Sequence, residues 1–328
     1  QFSGDIYQRK TTDMFTVGMS LPAVFGTDVP KGNYADLTTK GFELSVSWRD
    51  QFQLASKPFN YEVRFTLADY QSTIDKYNNP EKKLGDDYYY EGMKVGEIWG
   101  YETEGFFTSQ ADIDSHAKQP YFYAGATAGQ WLPGDIKFKD LNGDGVIDYG
   151  NNTVDNPGDQ KIIGNSEPRF IYGINLSGDW NNFFVSAFFQ GVGKQDWWPG
   201  SEASYFWGMY NRPYNDMPKS HLGNIWTEEN PNTYFPRLRG YSSEEPYAEL
   251  NLKQTRYLQN IAYIRMKNIQ LGYTLPKSFI SKLRMQNAKV YVSGENLWSW
   301  SPFYKYSKDL DVEAVRGSDR DLTEGTSG

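Results

Sequence analysis

The chain has no cysteine and only two histidines, His116 and His221, among its 328 residues. A disulfide framework and a thiolate metal site are excluded. An envelope and a cytosol both tolerate the lack of cysteine, so compartment must come from elsewhere. The chain also lacks any run of about 18 apolar residues, the length a membrane-spanning helix needs. That leaves a spanning β-barrel open, because barrel strands need only alternate apolar residues over segments of about 10. Lys/Arg blocks are absent too. The 33 basic residues are dispersed and the net charge is −8, so nothing tracks a phosphate backbone and no nucleic-acid partner is expected. Helical periodicity is nearly absent, apart from a short turn expected around Lys277–Leu283.

What the chain does have is aromatic residues, 10 Trp, 25 Tyr and 20 Phe, and a repeated two-residue alternation. Phe42, Leu44, Val46 and Trp48 alternate with Glu43, Ser45, Ser47 and Arg49. Tyr61, Val63, Phe65 and Leu67 alternate with Glu62, Arg64, Thr66 and Ala68. Phe170, Tyr172, Ile174 and Leu176 oppose Gly173, Asn175 and Ser177, and Ala288, Val290 and Val292 oppose Lys289, Tyr291 and Ser293. Each reads as a strand with one apolar and one wet face. Further strands are expected at 1–10, 183–193 and 261–274.

Such strands fit a soluble sandwich, apolar face inward, or an outer-membrane barrel, apolar face toward lipid. Connection lengths separate the two. Short turns at Leu54–Lys57 and at Gly178–Asn182, with a modest link at Leu275–Asn287, alternate with much longer connections, the rhythm of short periplasmic turns and long extracellular loops. The expected fold is therefore an all-β, transmembrane antiparallel β-barrel. In that scheme residues 70–166 form one extracellular excursion, with Val95–Tyr101 in a hairpin inside it, and 194–260 form a second. Seven spanning strands leave a sheet edge open in lipid, which is unfavourable. The start at Gln1 lies within a strand and shows no signal sequence. The chain is accordingly expected to be part of a longer one.

The densest motif is G-D-I-K-F-K-D-L-N-G-D-G-V-I-D, Gly134 to Asp148. Asp140, Asn142, Asp144, the Val146 carbonyl and Asp148 occupy positions 1, 3, 5, 7 and 9 of a calcium-type loop, with Gly145 at the turn. All-oxygen donors suit a hard cation such as Ca²⁺ in a structural role. Position 12 is Asn151 in place of a bidentate Glu, so Asp155 or Asp159 would complete the shell. The bland alternative is an Asp/Asn/Gly turn without metal.

The second excursion concentrates Trp197, Trp198, Trp207, Tyr210, Arg212 and Trp226. Flat rings with polar neighbours suit sugar stacking, so these are candidate ligand or partner contacts; packing within the loop or an interfacial girdle is the competing reading. No carboxylate pair sits beside a histidine or in a nucleophile motif. Catalytic residues: none, and no enzymatic activity is expected. A secreted calcium-stabilised carbohydrate-binding β-sandwich remains an alternative of another class, and an all-β glycoside hydrolase would need paired carboxylates across a cleft.

Six stretches taken together resemble the SusC-like (RagA-like) TonB-dependent outer-membrane transporters of Bacteroidetes. They are Asp5–Met14, Asn33–Leu44, Gly134–Asp148, Ile162–Gly173, Tyr263–Pro276 and Val290–Leu297, in family order. The resemblance implies the last third of a barrel of about 22 strands, located in the bacterial outer membrane. It also implies nutrient import, of glycan oligosaccharides with peptide as the alternative cargo. The implied partners are a SusD-like lipoprotein lid, the lipid bilayer, and TonB acting through a plug that this chain does not contain.

Overall fold

The structure is a computed structural model and describes residues 1–17, 31–86, 88–120, 130–201, 203–239, 241–244, 247–308 and 310–314. Among these described residues thirteen strands follow in order: β1 Phe2–Val17, β2 Lys31–Leu54, β3 Lys57–Lys76, β4 Glu97–Tyr101, β5 Thr103–Phe106, β6 Ile136–Phe138, β7 Gln160–Asn165, β8 Arg169–Trp180, β9 Phe183–Lys194, β10 Asp196–Trp197, β11 Gln259–Asn260, β12 Tyr263–Thr274 and β13 Lys289–Trp300. Seven of them form one antiparallel sheet in the order β1-β2-β3-β8-β9-β12-β13. The wall strands stand where alternation places them. Three run further: β1 reaches Val17, β2 begins at Lys31 and β3 ends at Lys76. Alternation marks only the part of a strand whose two faces see different solvents, whereas the hydrogen-bonded ladder continues into water. At about 3.3 Å per residue, the 24 residues of β2 span roughly 80 Å, far beyond the 9–11 residues that cross a bilayer.

The register makes the wall two-faced. One transverse row reads Phe2, Val46, Phe65, Ile174, Phe189, Met266, Trp298, one residue from each strand, all apolar. The neighbouring row reads Ser3, Ser45, Thr66, Gly173, Gln190, Arg265, Ser299. Glu43, Glu62 and Arg64 lie on this second, polar face, and Arg49 pairs there with Glu62 at 2.9 Å. The apolar face stays uncovered: Leu271 is 60% exposed, Val292 76% and Trp298 49%. A soluble protein does not leave seven strands of apolar surface in water; this face meets lipid. The polar face is the inner one, and protein packs on it. Tyr263 and Lys267 reach Glu313 at 3.1 and 3.0 Å, and Arg265 reaches Asp311 at 3.1 Å.

The short turns share one end. Ala55 and Ser56 make a two-residue turn with both φ positive, as do Asn181 and Asn182, the hairpin geometry whose twist matches the flanking strands. Trp180 Nε1 donates to the Leu54 carbonyl at 3.0 Å and Thr274 N to the Asn182 carbonyl at 2.8 Å, tying all three short connections together. The third of these carries a short helix, α1 (Lys277–Ile280), and a 3-10 turn at Ser281–Leu283, where the helical turn is expected. At the opposite end β3 leads to β8, and β9 to β12, through the two long excursions.

The best-buried side chains lie outside the wall. Trp207, Tyr210, Tyr257, Phe107, Phe138 and Ile147 are almost completely buried and belong to the excursions. Lipid replaces a core for the sheet, while the loops must build their own. Val95–Tyr101 departs from the expected hairpin. β4 pairs with β7, and β5 with β6, so the strand's partner lies some 60 residues on.

Candidate functional site

The Asp140–Asp159 loop is a chain of side-chain-to-backbone bonds. Asp140 accepts from Gly143 N at 2.6 Å and Gly145 N at 2.9 Å. Asn142 accepts from Asp144 N at 2.9 Å, Asp144 from Val146 N at 2.8 Å, and Asp148 from Gly150 N at 2.6 Å. Such Asx contacts let short polar side chains hold a tight turn, and Gly143 and Gly145 supply the left-handed backbone, φ 78° and 84°. The loop is anchored by Ile147, fully buried, whose N–H donates to the Lys118 carbonyl at 2.7 Å.

Asp159, and not Asp155, is the hub of this loop. It is fully buried and accepts from Leu141 N at 2.7 Å and Asp148 N at 2.8 Å. Burial pushes its carboxyl upward, against the backbone donors, which favour the charged form. Nothing in the local spacing marks Asp159, because it enters from 11 residues past the motif. The donor set, oxygens only, suits a hard cation. In this arrangement the carboxylates turn to backbone N–H groups, and among the described residues no three acidic or imidazole groups converge on one point.

Of the aromatic candidates, Trp197, Trp198, Trp207 and Tyr210 are buried and Trp226 is half-buried, the arrangement that the packing reading describes. Trp207 and Tyr210 have no exposed surface, and Trp197 and Trp198 keep 3% and 7%. Trp207 Nε1 donates to the Pro199 and Gly200 carbonyls, both at 3.0 Å, and the Tyr210 hydroxyl to Pro236 O at 2.6 Å. Arg212 donates to its neighbour's carbonyl, Asn211 O, at 2.9 Å. Trp226 lies against Gly134, where a Cβ would overlap the indole. Trp226 thus packs the second excursion onto the calcium-type motif of the first. The physical reason is demand: an excursion with little regular structure needs large rings to bury, and it spends its aromatics there.

A buried ionic group with no sequence signature joins the two excursions. Arg239 Nε donates to Asp135 Oδ1 at 2.7 Å, and Ile136 N donates to Glu249 Oε2 at 2.8 Å. Asp135 and Glu249 are both fully buried. Burial, then the neighbouring Asp135 charge, holds the Glu249 carboxyl well above the usual carboxylate range. His221, likewise buried, is pushed down by burial and stays neutral, its Nε2 2.9 Å from Phe206 O.

A seven-stranded antiparallel wall with a lipid face, tight turns at one end and packed loops at the other defines a transmembrane β-barrel protein of the outer membrane. The sequence places it further: the chain is homologous to TonB-dependent receptors. It is 26% identical over 319 residues to TonB-dependent receptor P3 of Formosa agariphila, covering 92% of this chain and 28% of that protein. It is also 26% identical over 311 residues to receptor P26 of the same organism, covering 90% and 28%. The RagAB peptide transporter shares the fold, with a TM-score of 0.66 at 19% identity over 96% of this chain and 31% of that one. RagAB in its open-open state matches at 0.64. No family profile matches the chain. The chain thus spans under a third of the length of the relatives it matches.

Proposed function

We propose that the chain forms part of a TonB-dependent nutrient importer, its wall sealing the pore in the outer membrane and its two excursions forming the outer mouth. The observation that carries this reading is the wall itself, apolar across all seven strands on one face and polar on the other. A conduit requires both: lipid outside and water or cargo inside. The work is binding and gated passage, with no bond made or broken. Energy would come through TonB by way of a plug on another part of the complete protein.

Glycan oligosaccharides are the proposed cargo, taken up with a SusD-like lipoprotein over the outer mouth. A second reading, peptide cargo, is supported by the fold shared with the RagAB peptide transporter. Growth of a strain lacking the gene on defined glycans and on peptides, with and without a functional TonB, tests both. Loss of growth on a glycan alone supports the first reading, and loss on peptides alone replaces it with the second.

The Asp140–Asp148 loop is proposed to bind Ca²⁺ structurally, through Asp140, Asn142, Asp144, the Val146 carbonyl and Asp148. Its oxygen-only donors support this. Asp159 would brace the loop from behind.

A further inference from the structure

Between the two excursions lies a cavity of about 1080 Å³, just above the roughly 300–1,000 Å³ typical of small-molecule sites. Both excursions wall it, the first through Tyr89, Tyr90, Trp99 and Tyr149, the second through Trp198 and Tyr247. Part of this wall is held rigid. The Tyr90 hydroxyl donates to Glu97 Oε2 at 2.5 Å and accepts from Trp99 Nε1 at 3.2 Å. Other rings remain open to the cavity: Tyr89 is 40% exposed and Tyr247 59%, one from each excursion.

Charge narrows the ligand class. Among the described lining residues, Asp86, Glu97 and Glu167 are acidic and Lys253 alone is basic, and Lys253 is ion-paired to Asp86. The lining is net negative and would repel a polyanion. Rings in number, with hydroxyl and amide groups between them, suit a ligand that shows both apolar C–H faces and hydroxyls. Position narrows it again. Ser166 and Glu167 also line a second cavity of about 350 Å³ together with Ile171, Gln190 and Tyr263 of the wall. Gln190 and Tyr263 both lie on the polar face, so the larger cavity adjoins the inner side of the barrel.

From these observations we infer that the cavity is a binding subsite for a segment of neutral oligosaccharide, with Tyr89 and Tyr247 stacking on its rings from opposite sides. The inference rests on the glycan reading above and adds to it a place and a charge class. It also moves ligand contact from the buried Trp207 and Tyr210 to tyrosines that still have surface.

The test is calorimetry on the complete transporter in detergent, with maltohexaose, cellohexaose and xylohexaose as neutral probes. Hexagalacturonate is the anionic probe, and a tryptic peptide pool the competing class. The expected result is binding of at least one neutral hexaose, weakened tenfold or more in Tyr89→Ala and in Tyr247→Ala, with hexagalacturonate at least tenfold weaker than the neutral probe. Heat-modifiability on gels confirms that both variants keep the barrel. Unchanged neutral-hexaose affinity in both variants overturns the subsite and leaves the glycan reading standing, as does equal binding of hexagalacturonate. A wild type that binds hexagalacturonate and no neutral hexaose likewise overturns the subsite alone, whereas one that binds neither kind of hexasaccharide, whether or not it takes the peptides, overturns both.

Discussion

Tyr172 on β8 lies across Gly191 on β9, and its hydroxyl donates to the Tyr263 carbonyl on β12 at 3.2 Å. One side chain thus bridges three strands, and it can do so because residue 191 has no Cβ. A Cβ there would overlap both the Tyr172 ring and the Tyr263 carbonyl. Gly191→Ala should therefore destabilise the wall by about 1–3 kcal/mol, the usual cost of overpacking. The Tyr263 carbonyl is backbone and cannot move aside, so removing the ring as well, in Gly191→Ala/Tyr172→Ala, should not fully restore stability. Urea titration followed by heat-modifiability measures this, and a Gly191→Ala barrel as stable as wild type would refute it.

The wall was legible in the sequence because alternation has a single physical cause, two solvents on two faces. Phe42–Arg49 and Tyr61–Ala68 show it, and the register sets Val46 opposite Phe65 on the apolar face. The loops were not legible in the same way. Asp159 serves a turn that begins 18 residues earlier, and Arg239 meets Asp135 from 104 residues away. Such contacts leave no local period. Aromatic density around Trp207 was visible, yet density cannot tell a ring that binds cargo from one that fills a core. Burial decides that, and burial is set by the whole loop assembly.

Asp159→Ala should loosen the 140–160 loop more than Asp144→Ala does. The first strands the Leu141 and Asp148 N–H groups beside a buried site, at about 1–3 kcal/mol for a buried group left without its partner. The second removes an exposed side chain that accepts from Val146 N. If calcium is structural here, chelator should raise proteolytic cleavage between 130 and 165 in the wild type and add little in Asp144→Ala. Identical cleavage with and without chelator would remove the metal from the account.

Glu249 gives a pH dependence with a definite sign. Its carboxyl is held well above the ordinary 4.5 by burial and by Asp135, so above about pH 4.5 the unfolded chain releases a proton that the folded chain keeps. Stability of the loop assembly then falls as pH rises from 4.5 towards the raised folded value. Glu249→Gln keeps an acceptor for Ile136 N and cannot ionise. Its loops should be more protease-resistant than wild type at pH 7.5, with the difference vanishing near pH 4. A Gln variant that tracks wild type across that range would mean Glu249 is already ionised in the fold.

Trp207 separates packing from recognition. Its indole is fully buried, donates to two carbonyls, and meets Phe206 at 4.8 Å and Tyr257 at 5.3 Å between ring centroids. Trp207→Ala should cost about 3–5 kcal/mol, as large-to-small changes in cores do. The expected phenotype is cleavage throughout 195–262 with the heat-modifiable barrel retained, since the wall draws its stability from strand pairing and lipid. Cargo binding would fall only because the loop has come apart. Trp207→Phe keeps much of the ring volume and removes the indole N–H from the Pro199 and Gly200 carbonyls, of which Gly200 still accepts from Ala203 N, so it should lie between wild type and Ala in protease resistance. Should Trp207→Ala leave the loop as resistant as wild type while cargo affinity drops, the indole would be a recognition residue after all, and the core built around it would have to be redrawn.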